Sequence, residues 1–179
     1  MSTDHTKSTP DYKLLAAQVE AMAEDAPTTL ALLANVSALL NGALKDINWV
    51  GFYEVRDGAM TLGPFQGKPA CVRIPFGKGV CGMAWAEKRT VRVSDVHAFA
   101  GHIACDAASN SEIVLPIMGT SSSSVSEVGE QNQAAPGTAE EGEVLYVLDI
   151  DSPLTDRFSE EDEKGLTLVR EALEKCFNR

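Results

Sequence analysis

The 179-residue chain is 44% hydrophobic, enough for one folded domain with its own core, which excludes a disordered protein. A net charge of -11 argues against nucleic acid as a partner, because phosphate backbones are bound by clustered Lys and Arg. No apolar run approaches the roughly eighteen residues that span a membrane, and Met1 to Tyr12 lack the apolar core of a secretory signal, so a cytoplasmic location is expected.

In chain order, residues 1–11 read as a disordered tail and residues 12–179 as one domain. From Tyr12 to Met22, the side chains of Leu15, Val19 and Met22 fall on one helical face. Pro27 opens a second helix through Leu30, Leu33, Val36 and Leu40 toward Gly42. Asn48 to Glu54 is rich in aromatic and β-branched residues and predicts a strand. Asp57-Gly58 is a hairpin turn signal before a second strand at Met60 to Leu62. A third strand is expected over Ala70 to Ile74, then a break at Pro75, Gly77 and Gly79, a short helix from Val80 to Glu87, and a strand at Thr90 to Val93.

The polar segment Ser94 to Ser111 holds His97, His102 and Cys105. Ile113 to Met118 and Glu143 to Ile150 are the last two strands. Ser159 with Asp162 forms a capping-box pattern for a closing helix whose Leu166, Val169, Leu173 and Phe177 share a face. Between those two strands lies a segment of different character, 119–142, with consecutive serines at Ser121 to Ser124, and its composition predicts a disordered hairpin insertion. The set is α+β: about six antiparallel strands, terminal helices on one face, and the 94–111 segment over the other, where a pocket would form.

Reactive residues concentrate between Cys71 and Glu112: Cys71, Cys81, His97, His102, Cys105, Asp106 and Glu112. Alternation along strands puts Trp49, Gly51 and Tyr53 on one face, and Asp149 and Asp151 on one face. Each has a plain alternative. Cys71 and Cys81 suit a core as small hydrophobes, and Cys176 beside Phe177 suits helix packing. The two histidines suit loop hydrogen bonding, Trp49 and Tyr53 core packing, and Gly77-Lys78-Gly79 a helix-entry turn. Cys105 stands apart, in a polar loop where no packing period explains it. Asp149 and Asp151 also resist dismissal, because a carboxylate in so apolar a strand is costly unless paired or protonated, although Asp151-Ser152-Pro153 is also a turn signal at the strand end. Zinc held by Cys71, His97, His102 and Cys105 is disfavoured: there is no Cys-x-x-Cys pair and the spacing fits no ordinary zinc motif.

These segments resemble a known family. Asn48-Trp49-Val50-Gly51-Phe52-Tyr53, the stretch Leu62 to Pro75 around Cys71, Gly77-Lys78-Gly79-Val80-Cys81-Gly82, Asp95 to Phe99, Gly101 to Pro116 and Val147 to Ser152 are similar to the free methionine-(R)-sulfoxide reductases, a catalytic branch of the GAF-domain superfamily. The resemblance covers nearly all of residues 12–175 outside 119–142. It implies a six-stranded antiparallel GAF sheet and reduction of free L-methionine (R)-S-oxide by thiol chemistry. Cys105 would attack the sulfoxide sulfur, Cys71 would resolve the resulting sulfenic acid to a disulfide, and Cys81 would substitute or relay. Thioredoxin would be the external reductant, with no bound cofactor and no metal. Trp49 and Tyr53 would enclose the methyl-sulfoxide group. Glu112, Asp149 and Asp151 would hold the sulfoxide oxygen and the ammonium, and backbone N–H groups at Ile103 and Ala104 the carboxylate. A homodimer through the terminal helices fits the resemblance. The rival expectation is a GAF domain that senses a small molecule without catalysis, for which a Cys71–Cys105 couple has no use.

Overall fold

The computed structural model describes residues 9–99, 108–119 and 142–178. Most of the expected tail, the insertion, and His102, Ile103, Ala104, Cys105 and Asp106 lie outside the described residues.

Helix α1, Tyr12–Asp25, starts where the side chain of Asp11 accepts the N–H of Leu14, so Asp11 is the helix cap. Helix α2, Thr29–Ala43, begins two residues after Pro27, capped by Thr28, whose hydroxyl accepts the N–H of Ala31. The threonine, which accepts a free N–H, sets the start that was expected of the proline. Leu33, Val36 and Leu40 are buried as the periodicity requires, but Leu30 in the first turn is exposed.

Strands β1, Trp49–Arg56, and β2, Ala59–Gly67, form a hairpin through Asp57 and Gly58, both at positive φ, as a tight twisted turn demands. β2 runs five residues past its expected end, and its pairing with β1 shifts register beyond Gly51. The same stretch explains why β3, Arg73–Pro75, is shorter than the 70–74 span expected. Leu62 donates to the carbonyl of Val72, and continuing that register would set Ala70 opposite Pro64. Proline has no N–H to give, so the ladder stops. Helix α3, Gly79–Glu87, follows; then β4, Val91–Val93, a single 3₁₀ turn at Val96–Ala98, β5, Ser111–Gly119, β6, Glu143–Ser152, and α4, Glu160–Phe177. The capping box at Ser159 and Asp162 is present in both directions.

All described strand pairs are antiparallel, in the order β3-β2-β1-β6-β5-β4. The sheet separates two cores. On one face α1, α2 and α4 pack on Val50, Phe52, Ile113, Leu115, Ile117, Leu148 and Ile150. On the other, α3 and the 3₁₀ turn pack on Trp49, Tyr53, Val114 and Val147 through Val80, Cys81, Ala84 and Val96. The expected α+β arrangement, with terminal helices on one face, is the arrangement observed. Among the described residues no helix is long and apolar enough to cross a membrane.

Candidate active site

The register of the central strands assembles the site. Trp49 on β1 lies opposite Asp151 on β6, which lies opposite Glu112 on β5; one step along, Gly51 lies opposite Asp149, which lies opposite Val114. Alternation turns Trp49, Tyr53, Glu112, Asp149 and Asp151 toward the α3 side of the sheet, so the two faces expected to carry chemistry are one face. Over it α3 places Cys81, whose Sγ sits 3.8 Å from Oε1 of Glu112. One polar atom each from Cys81, Glu112 and Asp149 lies within 4.8 Å of the other two.

Aromatic rings wall this cluster. Trp49 stacks on Tyr53, with ring centroids 5.9 Å apart, and on Phe65 at 5.5 Å. Its indole N–H donates to the carbonyl of Lys68 at 3.1 Å, fixing the ring. Gly51 makes room for it: a Cβ there would come within 2.6 Å of the indole and 2.4 Å of Phe65. Phe65 was not singled out from the sequence, because its strand was expected to end at Leu62.

The electrostatics follow from burial. Glu112 is 5% exposed and Asp149 7%. Burial pushes the Glu112 carboxyl well above the carboxylate range, and the neighbouring Asp149 and Asp151 charges push it further. Burial raises Asp149 to about 6, its hydrogen bonds from Cys81 and Glu112 limiting the rise. The pair therefore shares a proton near neutral pH, with Glu112 donating to Asp149. Burial first, then the Asp149, Glu112 and Asp151 charges, raise the Cys81 thiol, so it stays protonated. A thiol and two carboxyls so placed could hold a cation, but the hydrogen bonds they make to one another use protons that a cation would displace. Oδ1 of Asp149 is buried and makes no hydrogen bond among the described residues.

Other candidates fall elsewhere. Cys71 is half-buried at the margin of the same core, while neither Cys81 nor Cys176 is in a disulfide. Cys176 packs against the opposite core and bonds to the carbonyl of Ala172, in keeping with a packing role. His97 pairs with Oδ1 of Asn110 at 3.0 Å, the loop hydrogen bond that was its plain alternative. Gly77 and Gly79, both at positive φ, make Gly77-Lys78-Gly79 a helix-entry turn.

Comparison with known proteins gives this geometry its context. No family model matches the chain. The chain is 52% identical to the free methionine-R-sulfoxide reductase of Escherichia coli over 148 residues, 83% of this chain and 77% of that one. It belongs to the free methionine-(R)-sulfoxide reductase family. Protein YtsP of Bacillus subtilis is also 52% identical, over 93% of this chain and 91% of its own. Among solved structures, the reduced form of a Staphylococcus aureus fRMsr superimposes with a TM-score of 0.79 at 45% identity, covering 95% and 97% of the two chains. The free methionine-R-sulfoxide reductase of Neisseria meningitidis, solved in complex with its substrate, gives 0.77 at 39% identity, covering 93% and 87%. The six-stranded sheet with its flanking helices is the GAF fold. A chain of this reductase family thus carries its buried carboxyls and aromatic wall on one face of a GAF sheet.

Proposed function

We propose that the chain reduces free L-methionine (R)-S-oxide to L-methionine, with its own cysteines as the immediate reductant and thioredoxin as the external one. The observation that carries this reading is the buried pair Glu112 and Asp149, both carboxyls raised by burial, on the sheet face that carries Trp49 and Tyr53. Sulfoxide oxygen is a poor leaving group until it is protonated, and a neutral carboxyl in an apolar site supplies that proton at pH 7.

The thiolate of Cys105 attacks the sulfoxide sulfur while Glu112 protonates its oxygen. The S–O bond breaks as the hydroxyl passes to the Cys105 sulfur, methionine leaves as the thioether, and Cys105 is left as a sulfenic acid. The Cys71 thiol then attacks that sulfur, releasing water and forming a disulfide, which the two thiols of thioredoxin reduce. Cys81 donates to Oε1 of Glu112, and it substitutes for Cys71 or relays between the thiols. Trp49 and Tyr53 enclose the methyl group. The buried Oδ1 of Asp149 receives the substrate ammonium, with Asp151 beside it, and the backbone N–H groups of Ile103 and Ala104 take the carboxylate.

The test couples NADPH, thioredoxin reductase and thioredoxin to racemic free methionine sulfoxide. NADPH consumption should stop at half the substrate. Cys105→Ser should abolish turnover, Cys71→Ser should release one methionine per enzyme without cycling, and Cys176→Ser should be nearly silent. Full thioredoxin-dependent turnover in Cys105→Ser would overturn the assignment.

A further inference from the structure

The charge of this acidic chain is unevenly spread. Residues 58–94 carry Lys68, Arg73, Lys78, Lys88, Arg89 and Arg92 against one acidic residue, Glu87, although the net charge is -11. Several of these are engaged: Arg89 pairs with Glu87, Arg92 with Glu163, and Lys88 donates to the carbonyl of Gly142. Arg73 and Lys78 are exposed and form no ion pair among the described residues. Both lie on or beside β3, the outermost strand on its side of the sheet. Apolar side chains are interleaved with them: Val72 is 68% exposed and Phe76 57%. Phe76 packs edge-on against Trp85, ring centroids 4.7 Å apart, and stays exposed. Cys71 is the next residue in the chain before Val72.

We propose that Val72, Arg73, Phe76 and Lys78 form the docking surface for the protein reductant, and that its partner face is acidic and dithiol-bearing. The inference rests on the function proposed above, in which Cys71 belongs to the disulfide that must be reduced. A thiolate of the partner attacks the Cys71 sulfur, breaking its bond to Cys105, which leaves as a thiol. The partner's second thiol then displaces Cys71 and carries away the disulfide. This exchange needs the partner's attacking sulfur to approach Cys71 from outside, where the two apolar side chains offer area to bury. The local positive charge reverses the repulsion that the rest of the molecule would exert on an acidic partner, and so sets the rate of encounter.

The experiment compares a purified acidic thioredoxin with dithiothreitol as reductant, for the full chain and for two variants, Arg73→Glu/Lys78→Glu and Phe76→Ser. In the charge-reversal variant, kcat/KM for thioredoxin should fall about tenfold or more at low salt. The decline of that constant with added KCl, expected for the unaltered chain, should vanish. Phe76→Ser should lower the same constant at every salt concentration. Turnover supported by dithiothreitol should be unchanged in both, which also reports correct folding. Unaltered thioredoxin kinetics alongside intact dithiothreitol turnover would refute the docking surface alone. Absence of turnover with either reductant in the unaltered chain would instead remove the reductase reading, and the docking proposal with it.

Discussion

Glu112 and Asp149 have room for one shared proton, and the proposed chemistry depends on its staying there. Glu112→Gln keeps the shape and removes the ionisable proton. We expect kcat/KM for free methionine sulfoxide to fall roughly 100- to 10,000-fold, the usual range for losing a general acid. The pH profile should change with it: activity should decline on the alkaline side as the pair loses its proton, and that limb should be absent from the residual activity of Glu112→Gln. An alkaline limb that persists in the variant would assign it to another group. At this scale much of the site was legible. A period of two is enough to put Trp49 with Tyr53 and Asp149 with Asp151. It cannot say that Cys81, 31 residues before Glu112, returns over them, because that depends on β6 inserting between β1 and β5.

Elements are tied together by a third buried carboxylate with the opposite tuning. Asp162 at the start of α4 accepts from the hydroxyl of Tyr12 on α1 at 2.5 Å and from Nη1 of Arg157 at 3.1 Å. Burial raises its pKa, but hydrogen bonds from Ser159 and Tyr12 and the charge of Arg157 outweigh that and leave it lowered. Asp162→Asn leaves Arg157 nearly buried without its counter-charge, and should cost about 3 kcal/mol in urea unfolding. A loss under about 0.5 kcal/mol would show that the α1–α4 contact rests on apolar packing alone. Gly165 belongs to the same contact, since a Cβ there would come within 2.0 Å of the Tyr12 ring. The capping box and the closing helix were readable from Ser159, Asp162 and the spacing of Leu166, Val169 and Leu173, because local chemistry decides them. The start of α2 and the lengths of β2 and β3 were not. Thr28 competes with Pro27 for the cap, and Pro64 acts on β3 through a ladder that exists after β2 and β3 have paired.

For the whole molecule, the two carboxylate settings give opposite pH dependences. Asp162 is held below its unfolded pKa, so its contribution to stability is present above that value, 3.8, and is lost as the pH falls. Glu112 and Asp149 are raised. Their contribution is complete below their unfolded values, 4.5 and 3.8, and is lost as the pH rises through the folded ones, for Asp149 between about 4 and about 6. Site and scaffold therefore pull in different directions, as expected where function is built from buried charge. Glu112→Gln should accordingly gain stability relative to the unaltered chain on going from pH 4 to pH 7. A thermal-melting difference that stays constant with pH would mean that the pair is not desolvated.

The central claim is that this face accepts methionine sulfoxide as the free amino acid. In the proposed mechanism the buried Oδ1 of Asp149, which makes no hydrogen bond among the described residues, receives the substrate ammonium, and a substrate without one would leave that buried acceptor unpaired. The direct measurement is methionine formation from four compounds under single-turnover conditions with the pre-reduced protein: free L-methionine (R)- and (S)-S-oxide, and the N-acetyl derivative of each. The free R epimer should be reduced rapidly, with a specificity over its N-acetyl counterpart of up to roughly four powers of ten. Comparable rates for the free and acetylated R epimers, or no methionine from any of the four, would contradict that claim.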